Sequence, residues 1–263
     1  MSSMAYALTD SATMVRRNLR RMVRYPSMTV LLIGMPIVFL LLFVYVFGGT
    51  LGAGIGGPSG GRAEYVNYVT PAIILMTIMS AVQGTSISVA MDMTEGIVDR
   101  FRTMAIARVS VLTGHVVGSL VQSMIAITAV LGVALLIGFR PDAGAADWLA
   151  LVGILVLMAF AFIWLSVALG LASKTVESSS NVGMPLVLLP FLGSGFVPTD
   201  SMPTVLRWFA EYQPFTPLID TIRGLLTGTP IGNSAAIGVG WCVAIALGGY
   251  LWSKRLFNRE STR

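Results

Sequence analysis

The sequence predicts an all-α, polytopic membrane protein with six transmembrane helices. Three observations carry that prediction. Of 263 residues, 55% are apolar and only 11% charged, against about a quarter charged in an ordinary soluble domain. Six apolar stretches approach the ~20 residues that cross a bilayer core as a helix. The basic residues also divide unevenly between the segments joining those stretches. A soluble fold has too few charges here to cover so much apolar surface, and disorder requires the opposite composition. The single Cys242 excludes a disulfide framework. His115 is the only histidine, so one chain cannot supply a His pair for haem or zinc.

The first span is 28–47, interrupted only by Gly34 and Pro36. Its run of about 20 residues exceeds the 7–15 of a signal-peptide core, so it reads as a retained anchor. The others are 71–90, 111–138, 148–172, 182–197 and 231–252, the fifth being shorter and broken by Pro185 and Pro190. With both termini in the cytoplasm, 13 of the 17 Lys and Arg residues lie inside. Only Arg62, Arg140, Arg207 and Arg223 lie outside, a strong positive-inside bias. An odd number of spans would separate the two basic termini. The chain is therefore expected in the cell membrane, surrounded by lipid, with both ends cytoplasmic. None of the six runs contains Asp, Glu, Lys or Arg. No proton relay or voltage sensor is visible, so any driven transport draws its energy from outside the bilayer.

Residues 1–27 read as an interfacial helix. Met4, Leu8, Val15, Leu19, Met22 and Val23 fall on one side, and Arg16, Arg17, Arg20, Arg21 and Arg24 on the other, facing anionic headgroups. The Gly-rich stretch 48–62 lacks the Gly-Lys-Ser/Thr of a phosphate loop and reads as a flexible outer loop. Residues 93–106 form a short cytoplasmic amphipathic helix between spans two and three. Met93, Ile97, Phe101 and Met104 make its apolar stripe, with Glu95, Asp99 and Arg102 opposite. Apolar anchors with a charged rim suit either the headgroup level or a groove on a cytoplasmic partner.

Segment 198–228 reads as two outer helices joined at Pro214, dipping into the membrane and returning. Asp200 is placed to cap the first, from Ser201 to about Tyr212. Thr216 and Pro217 look like the cap and first position of the second, and Gly228 like its terminator. Asp220 and Arg223 are spaced to pair. The segment serves either as a packed cover or as an outer gate with Trp208, Phe209, Phe215, Asp220 and Arg223 as candidates. Within the spans, Thr77, Ser80, Ala81, Gly84 and Ser88 share a small-residue face, and Gly114 and Gly118 form a GxxxG pair. Gln83 lies off that face and is a candidate to face a cavity. Pro36, Pro185 and Pro190 are placed to kink their helices.

These residues together resemble the membrane subunit of type 2 ABC exporters, and more narrowly the daunorubicin-resistance-type permeases. The resemblance rests on the topology and on the stretch from Glu95 and Gly96 through Asp99-Arg100-Phe101-Arg102 to Arg108, with Ala105 where proline is usual. Gln213-Pro214-Phe215-Thr216-Pro217 followed by Arg223-Gly224-Leu225-Leu226 also matches the subgroup. It implies a single transmembrane domain over 1–263 in which 93–106 is the coupling helix. Glu95, Gly96, Ile97, Asp99, Arg100, Phe101, Arg102 and Met104 would then meet the ATPase. It further implies two nucleotide-binding ATPase subunits on separate chains and a second permease half, identical or homologous. No cofactor is expected on this chain, because ATP and Mg belong to the partner, and no nucleic acid is expected. The chain would be a non-catalytic permease subunit moving an apolar or amphipathic cargo such as a drug, a lipid or a lipid-linked product. Its path would run between the first, second and fifth spans, with Phe39, Phe43, Thr77, Ser80, Gln83, Pro185 and Phe191 as candidates.

Other classes stay open. A polysaccharide exporter would want more aromatic rings along a wide channel. A channel or scaffold would need no ATPase. An intramembrane enzyme would need a base beside a serine nucleophile, for which only His115 is present.

Overall fold

A backbone in hydrocarbon must satisfy its own N–H and C=O groups, and a chain this apolar does so with helices. The computed structural model describes residues 13, 15–17, 20, 24, 26–56, 61–96 and 108–259. All regular structure among them is helical. α1 (Pro26–Leu42) runs through a π-helical turn, Phe43–Phe47, into α2 (Gly48–Gly56). α3 (Arg62–Thr94), α4 (Arg108–Leu136) and α5 (Ala145–Ala172) follow. α6 (Val176–Leu188) continues into a 3-10 turn, Leu189–Leu192. A second 3-10 turn, Thr199–Ser201, precedes α7 (Thr204–Tyr212), α8 (Phe215–Thr227) and α9 (Ser234–Arg259).

Five helical stretches are long and apolar enough to cross a membrane: Val30–Ile55, Arg62–Thr94, Leu112–Leu136, Ala145–Ala172 and Ser234–Phe257. They contain most of each of five expected spans. α3 is the hub: 72% of its most apolar window is buried, against 17% for the first and last stretches, whose remaining faces are free to meet lipid. Small residues set how closely the helices approach. A Cβ on Gly170 would meet the Ser86 carbonyl and Val89 of α3, and one on Gly249 would meet the α5 backbone at Trp164 and Leu165. Ser166 donates its hydroxyl across to the Val82 carbonyl. Gly84 packs against Leu32 of α1.

Four expectations are corrected. The Gly-rich segment 48–62 is not a flexible loop along its length, because residues 48–56 extend the first helix as α2. Gly52 shows why glycine suits it: a Cβ there would collide with the backbone of Gly61, at the start of α3. The expected fifth span, 182–197, is not one continuous helix. α6 begins earlier, at Val176, and stops at Leu188. Pro185 and Pro190 each remove an N–H from the helical ladder, and the chain then tightens to 3-10 geometry. Thirteen residues rise only ~20 Å, short of the ~30 Å core.

The caps of the 198–228 segment also differ. Pro203 precedes α7 and Pro214 precedes α8. Asp200 instead pairs with Arg207 at 2.8 Å, and the Thr216 hydroxyl accepts from the Ser194 amide at 3.2 Å. Gly228 does end α8, with φ +70, a conformation glycine adopts at low cost. Finally, α3 runs past the expected limit at Ala90 and includes Asp92, only 2% exposed. The helix therefore carries a buried charge. Of the expected 1–27 helix, the described residues 13, 15–17, 20 and 24 are helical, and its other residues up to Tyr25 lie outside the description. So do 97–107, the body of the 93–106 helix.

Cross-contacts order the ends. Leu32 meets Gly84 while Gly48 meets Arg62, and His115 meets Asp92 while Ser119 meets Thr85, so α1 with its continuation and α4 both run antiparallel to α3. Ser166 meets Val82 and Gly170 meets Ser86, so α5 runs parallel to it. Along α3, α6 and its continuation travel the other way: Ser179 touches Ser86, Gly183 touches Gln83, and Ser194 touches Tyr68. Eighteen α3 residues separate Ser86 from Tyr68, a rise of ~27 Å.

Candidate transport pathway and its two ends

One end of the bundle is organised by a buried charge cluster. The Asp92 carboxylate accepts from Arg17 Nη2 at 2.5 Å and from His115 Nε2 at 3.1 Å. The Asp92 and His115 side chains are 3% and 4% exposed, and Arg17 is 34% exposed. A carboxylate so enclosed is tolerated only with partners, and these come from the N-terminal segment and from α4. Glu95 caps α3 from an exposed position, donating its backbone N–H to Met91 O at 2.9 Å. Gly96, at φ +66, turns the chain out of the helix. Ile97, Asp99, Arg100, Phe101, Arg102 and Met104, expected to meet a partner, lie outside the described residues. Asp92 was missed because it falls just beyond the apolar run. The signal for it was the lone acid in Met91-Asp92-Met93, one hairpin away from the lone histidine.

Between the two ends runs the contact of α3 with α6. Gln83 Nε2 donates to Ser180 O at 3.3 Å, and Gly183 lets its stem approach closely. The Ser86 and Ser179 hydroxyls bond at 2.7 Å. Gln83 therefore joins helices. Thr77 is buried and returns its hydroxyl to Ile73 O at 2.7 Å, and Ser80 does the same to Met76 O at 3.0 Å. Pro185 sits exposed within α6.

Three candidates do meet. Phe39, Phe43 and Phe191 form one aromatic cluster, with Phe39 and Phe43 centroids 5.8 and 6.2 Å from Phe191. Phe196, which sequence reading missed, stacks on Phe191 at 4.4 Å and 8° and lies 4.7 Å from Phe43. Phe47 extends the cluster, 5.7 Å from Phe43. Phe43 and Phe47 bound the π-helical turn, a feature found mostly as a single-turn bulge and often at functional sites. Phe191-x-x-x-x-Phe196 around two glycines was the available clue.

At the other end, α8 is locked to α3 through the turn that follows α6. Arg223 bonds Asp220 Oδ1 at 2.8 Å and Ser194 O at 2.8 Å, and its guanidinium stacks 4.1 Å from the Tyr68 ring centre. Tyr68 donates to Ser194 O at 2.7 Å, and Ser194 donates its hydroxyl to Asp220 at 2.8 Å. The expected Asp220–Arg223 pair exists, but as the centre of this half-buried network. Phe215 is 1% exposed and stacks on Phe162 at 5.5 Å. Trp208 and Phe209 do not join the lock. They stand on α7, 65% and 39% exposed. On that helix Arg207 is neutralised by Asp200 and Glu211, its pKa pushed up first by the Glu211 hydrogen bond.

Arg223→Met should lower stability by on the order of 2–3 kcal/mol, since two charge-assisted bonds are lost together. Arg223→Lys should recover only part, because an ammonium lacks the planar fork. Thermal unfolding in detergent reads both, and a lysine variant equal to wild type would show that only the charge matters.

Residues 10–227 match the ABC-2 type transporter family. The chain is similar to the daunorubicin resistance ABC transporter permease protein DrrB1 of Streptomyces coeruleorubidus, 26% identical over 245 residues, covering 92% of this chain and 83% of that protein. It is also similar to the probable doxorubicin resistance ABC transporter permease protein DrrC of Mycobacterium tuberculosis, 23% identical over 254 residues, covering 94% of this chain and 89% of the relative. A helical bundle with membrane-length helices, matched by this family across most of its length, leads to one conclusion: the chain belongs to the ABC-2 type transporters, as a multi-pass membrane permease that works with ATPase subunits.

Proposed function

We propose that this chain is one permease half of an exporter for apolar, aromatic, drug-like cargo, driven by two ATPase subunits on separate chains. The single observation that supports this cargo is the phenylalanine cluster of α1, its π turn and the segment after α6, which offers ring faces for planar molecules. The names of the similar permeases, which refer to daunorubicin and doxorubicin resistance, agree with it.

In this reading both termini are cytoplasmic. α5 and α9 pack together, and the α8 contacts that join Leu226 to Asp142 and Leu218 to Gly238 place the starts of α5 and α9 at one end. Two helices running the same way require a return crossing between them. α6 with its 3-10 turn supplies it, as a broken fifth span that brings the crossings to six. The 198–228 helices then lie outside, and Asp220, Arg223 and Phe215 hold the exit closed, with Trp208 and Phe209 toward the outer interface.

Segment 93–106 is the coupling helix, with Glu95, Gly96, Ile97, Asp99, Arg100, Phe101, Arg102 and Met104 against the ATPase. The Asp92–His115 contact ties the two roots of that segment together, and Arg17 adds the N-terminal segment. ATPase closure would thus move α3 and α4 as a unit. ATP and Mg stay on the partner, this chain catalyses nothing, and the second half is a copy or a homologue.

Phe101→Asp places a charge where an apolar anchor is needed. It should abolish co-purification of the ATPase while leaving the permease inserted and monodisperse. Full ATPase retention by that variant would remove 93–106 from the interface.

A further inference from the structure

We propose that Gln213, with Thr216 and Arg223, forms a polar subsite at the α8 end of the pathway that takes a neutral hydrogen-bonding group of the cargo, a hydroxyl or a carbonyl. The proposal rests on the exporter reading above and adds to it what the aromatic cluster cannot supply, a means of telling one planar molecule from another.

Gln213 is 6% exposed, yet neither Nε2 nor Oε1 of its amide has a hydrogen-bond partner. A primary amide offers two donors and an acceptor, and proteins rarely leave such a group buried and unpaired. Other buried hydroxyls in this bundle find partners, some within their own helices, as Thr70 with Val66 O and Ser253 with Gly249 O, and some across helices, as Ser166 with Val82 O. Arg223 Nε is likewise buried without a partner, although its terminal nitrogens hold Asp220 and Ser194. Both unpaired groups flank the turn that carries Ser194.

The local geometry turns these groups together. Gln213 is held extended, at φ −68 and ψ 156, by the Pro214 that follows it. Its side chain reaches Gly193. A Cβ built there would lie 3.1 Å from both Gln213 Nε2 and Thr216 Oγ1 and 3.5 Å from Pro190 O. Three polar atoms thus converge on a residue without a side chain. The Thr216 hydroxyl already accepts from Ser194 N, which leaves its own proton to donate.

The charge state of the ligand group follows from the same residues. Asp220 is already neutralised by Arg223, and Gln213 and Thr216 are uncharged. A full charge placed here would be buried without a counter-ion, so a neutral group is selected. Two residues from Gly193 on one side and three on the other, Phe191 and Phe196 stack in the aromatic cluster. One short turn therefore presents ring faces and polar atoms together, which fits a planar apolar body bearing a hydroxyl or carbonyl.

The test uses the assembled permease–ATPase complex in membrane vesicles, with Gln213→Leu, a substitution of similar volume. Two probes are compared: daunorubicin, which carries hydroxyls and carbonyls, and tetraphenylphosphonium, which has neither. The half-saturating concentration of daunorubicin should rise about two- to tenfold, with that of tetraphenylphosphonium unchanged. The melting temperature of the variant should equal or exceed that of wild type, because an unpaired buried amide has been removed. Equal shifts for both probes, no shift for either, or a fall in melting temperature would each overturn the subsite. Should wild type move neither probe, the drug-cargo reading fails by itself, and the melting temperature still decides whether the amide is unpaired.

Discussion

Replacing Asp92 with alanine is expected to destabilise the permease by about 3–5 kcal/mol, toward the lower figure because Arg17 is one-third exposed. The loss is not that of a weak surface ion pair. The carboxylate is the shared acceptor for a guanidinium and an imidazole, and its removal strands His115 at 4% side-chain exposure. Asp92→Asn should lose less, because both bonds end on the one oxygen Oδ2 and an amide oxygen in its place still accepts them, without the charge. The functional consequence follows from position. Asp92 lies in the last turn of α3 and His115 in the second turn of α4. On the proposed coupling role of 93–106, loss of their contact should keep motion of that segment from reaching both helices. The ATPase assembled with the alanine variant should hydrolyse ATP at near its basal rate without stimulation by cargo. Thermal unfolding and cargo-stimulated ATPase activity check the two parts, and an alanine variant matching wild type in both would remove the cluster from the mechanism.

The second large effect is steric. Gly249→Val should prevent α9 from closing on α5, because a Cβ at Gly249 falls within 3.0 Å of backbone atoms of Trp164 and Leu165. Backbone cannot rotate away as a side chain tip would, so the helices must separate. Overpacking of this kind typically costs about 1–3 kcal/mol and more where nothing can give. Trp164 would also leave its edge-on contact with Tyr250, now 5.1 Å between centroids. Gly248→Val is the matched control, since a Cβ at that neighbour meets nothing within 4 Å. Gel filtration in detergent should show aggregation or loss of the Gly249 variant and a normal Gly248 variant. Equal behaviour of the two would mean that the α5–α9 contact is looser than described.

What was legible in the sequence was what neighbouring residues decide among themselves. The membrane class came from composition, five long helices from runs of apolar residues, and the Asp220–Arg223 pair from a spacing of three. Gly228 could be read as a terminator because only its own backbone angle is involved. The Asp92 cluster was not legible in that way. Its partners lie 75 and 23 residues away, and Asp92 sits just past the edge of its hydropathic run. The lock around Ser194 joins residues 126 positions apart through a backbone carbonyl, which no residue type announces.

Of the path candidates, the three phenylalanines do meet, because ring size and apolarity suit them to cluster. Thr77 and Ser80 do not join that cluster, and a helix offers each hydroxyl a carbonyl four residues back. Residues 48–56 were misread for a related reason. Glycine disfavours an isolated helix, but here the fit of Gly52 on Gly61 outweighs propensity. The prolines that break 182–197 were legible in the sequence, but the earlier start of α6 at Val176 was not, because no apolar run marks Val176–Asn181.

The most direct measurement is ATP-dependent transport in inverted membrane vesicles containing this chain, with and without its ATPase subunit. Daunorubicin, followed by its own fluorescence, should accumulate in the vesicles only when ATP, Mg and both subunits are present. A non-hydrolysable ATP analogue should not support accumulation. Equilibration of the drug without ATP, or ATP-driven accumulation by vesicles that contain the ATPase and lack this chain, would contradict the assignment of this bundle as the pathway of an ATP-driven exporter.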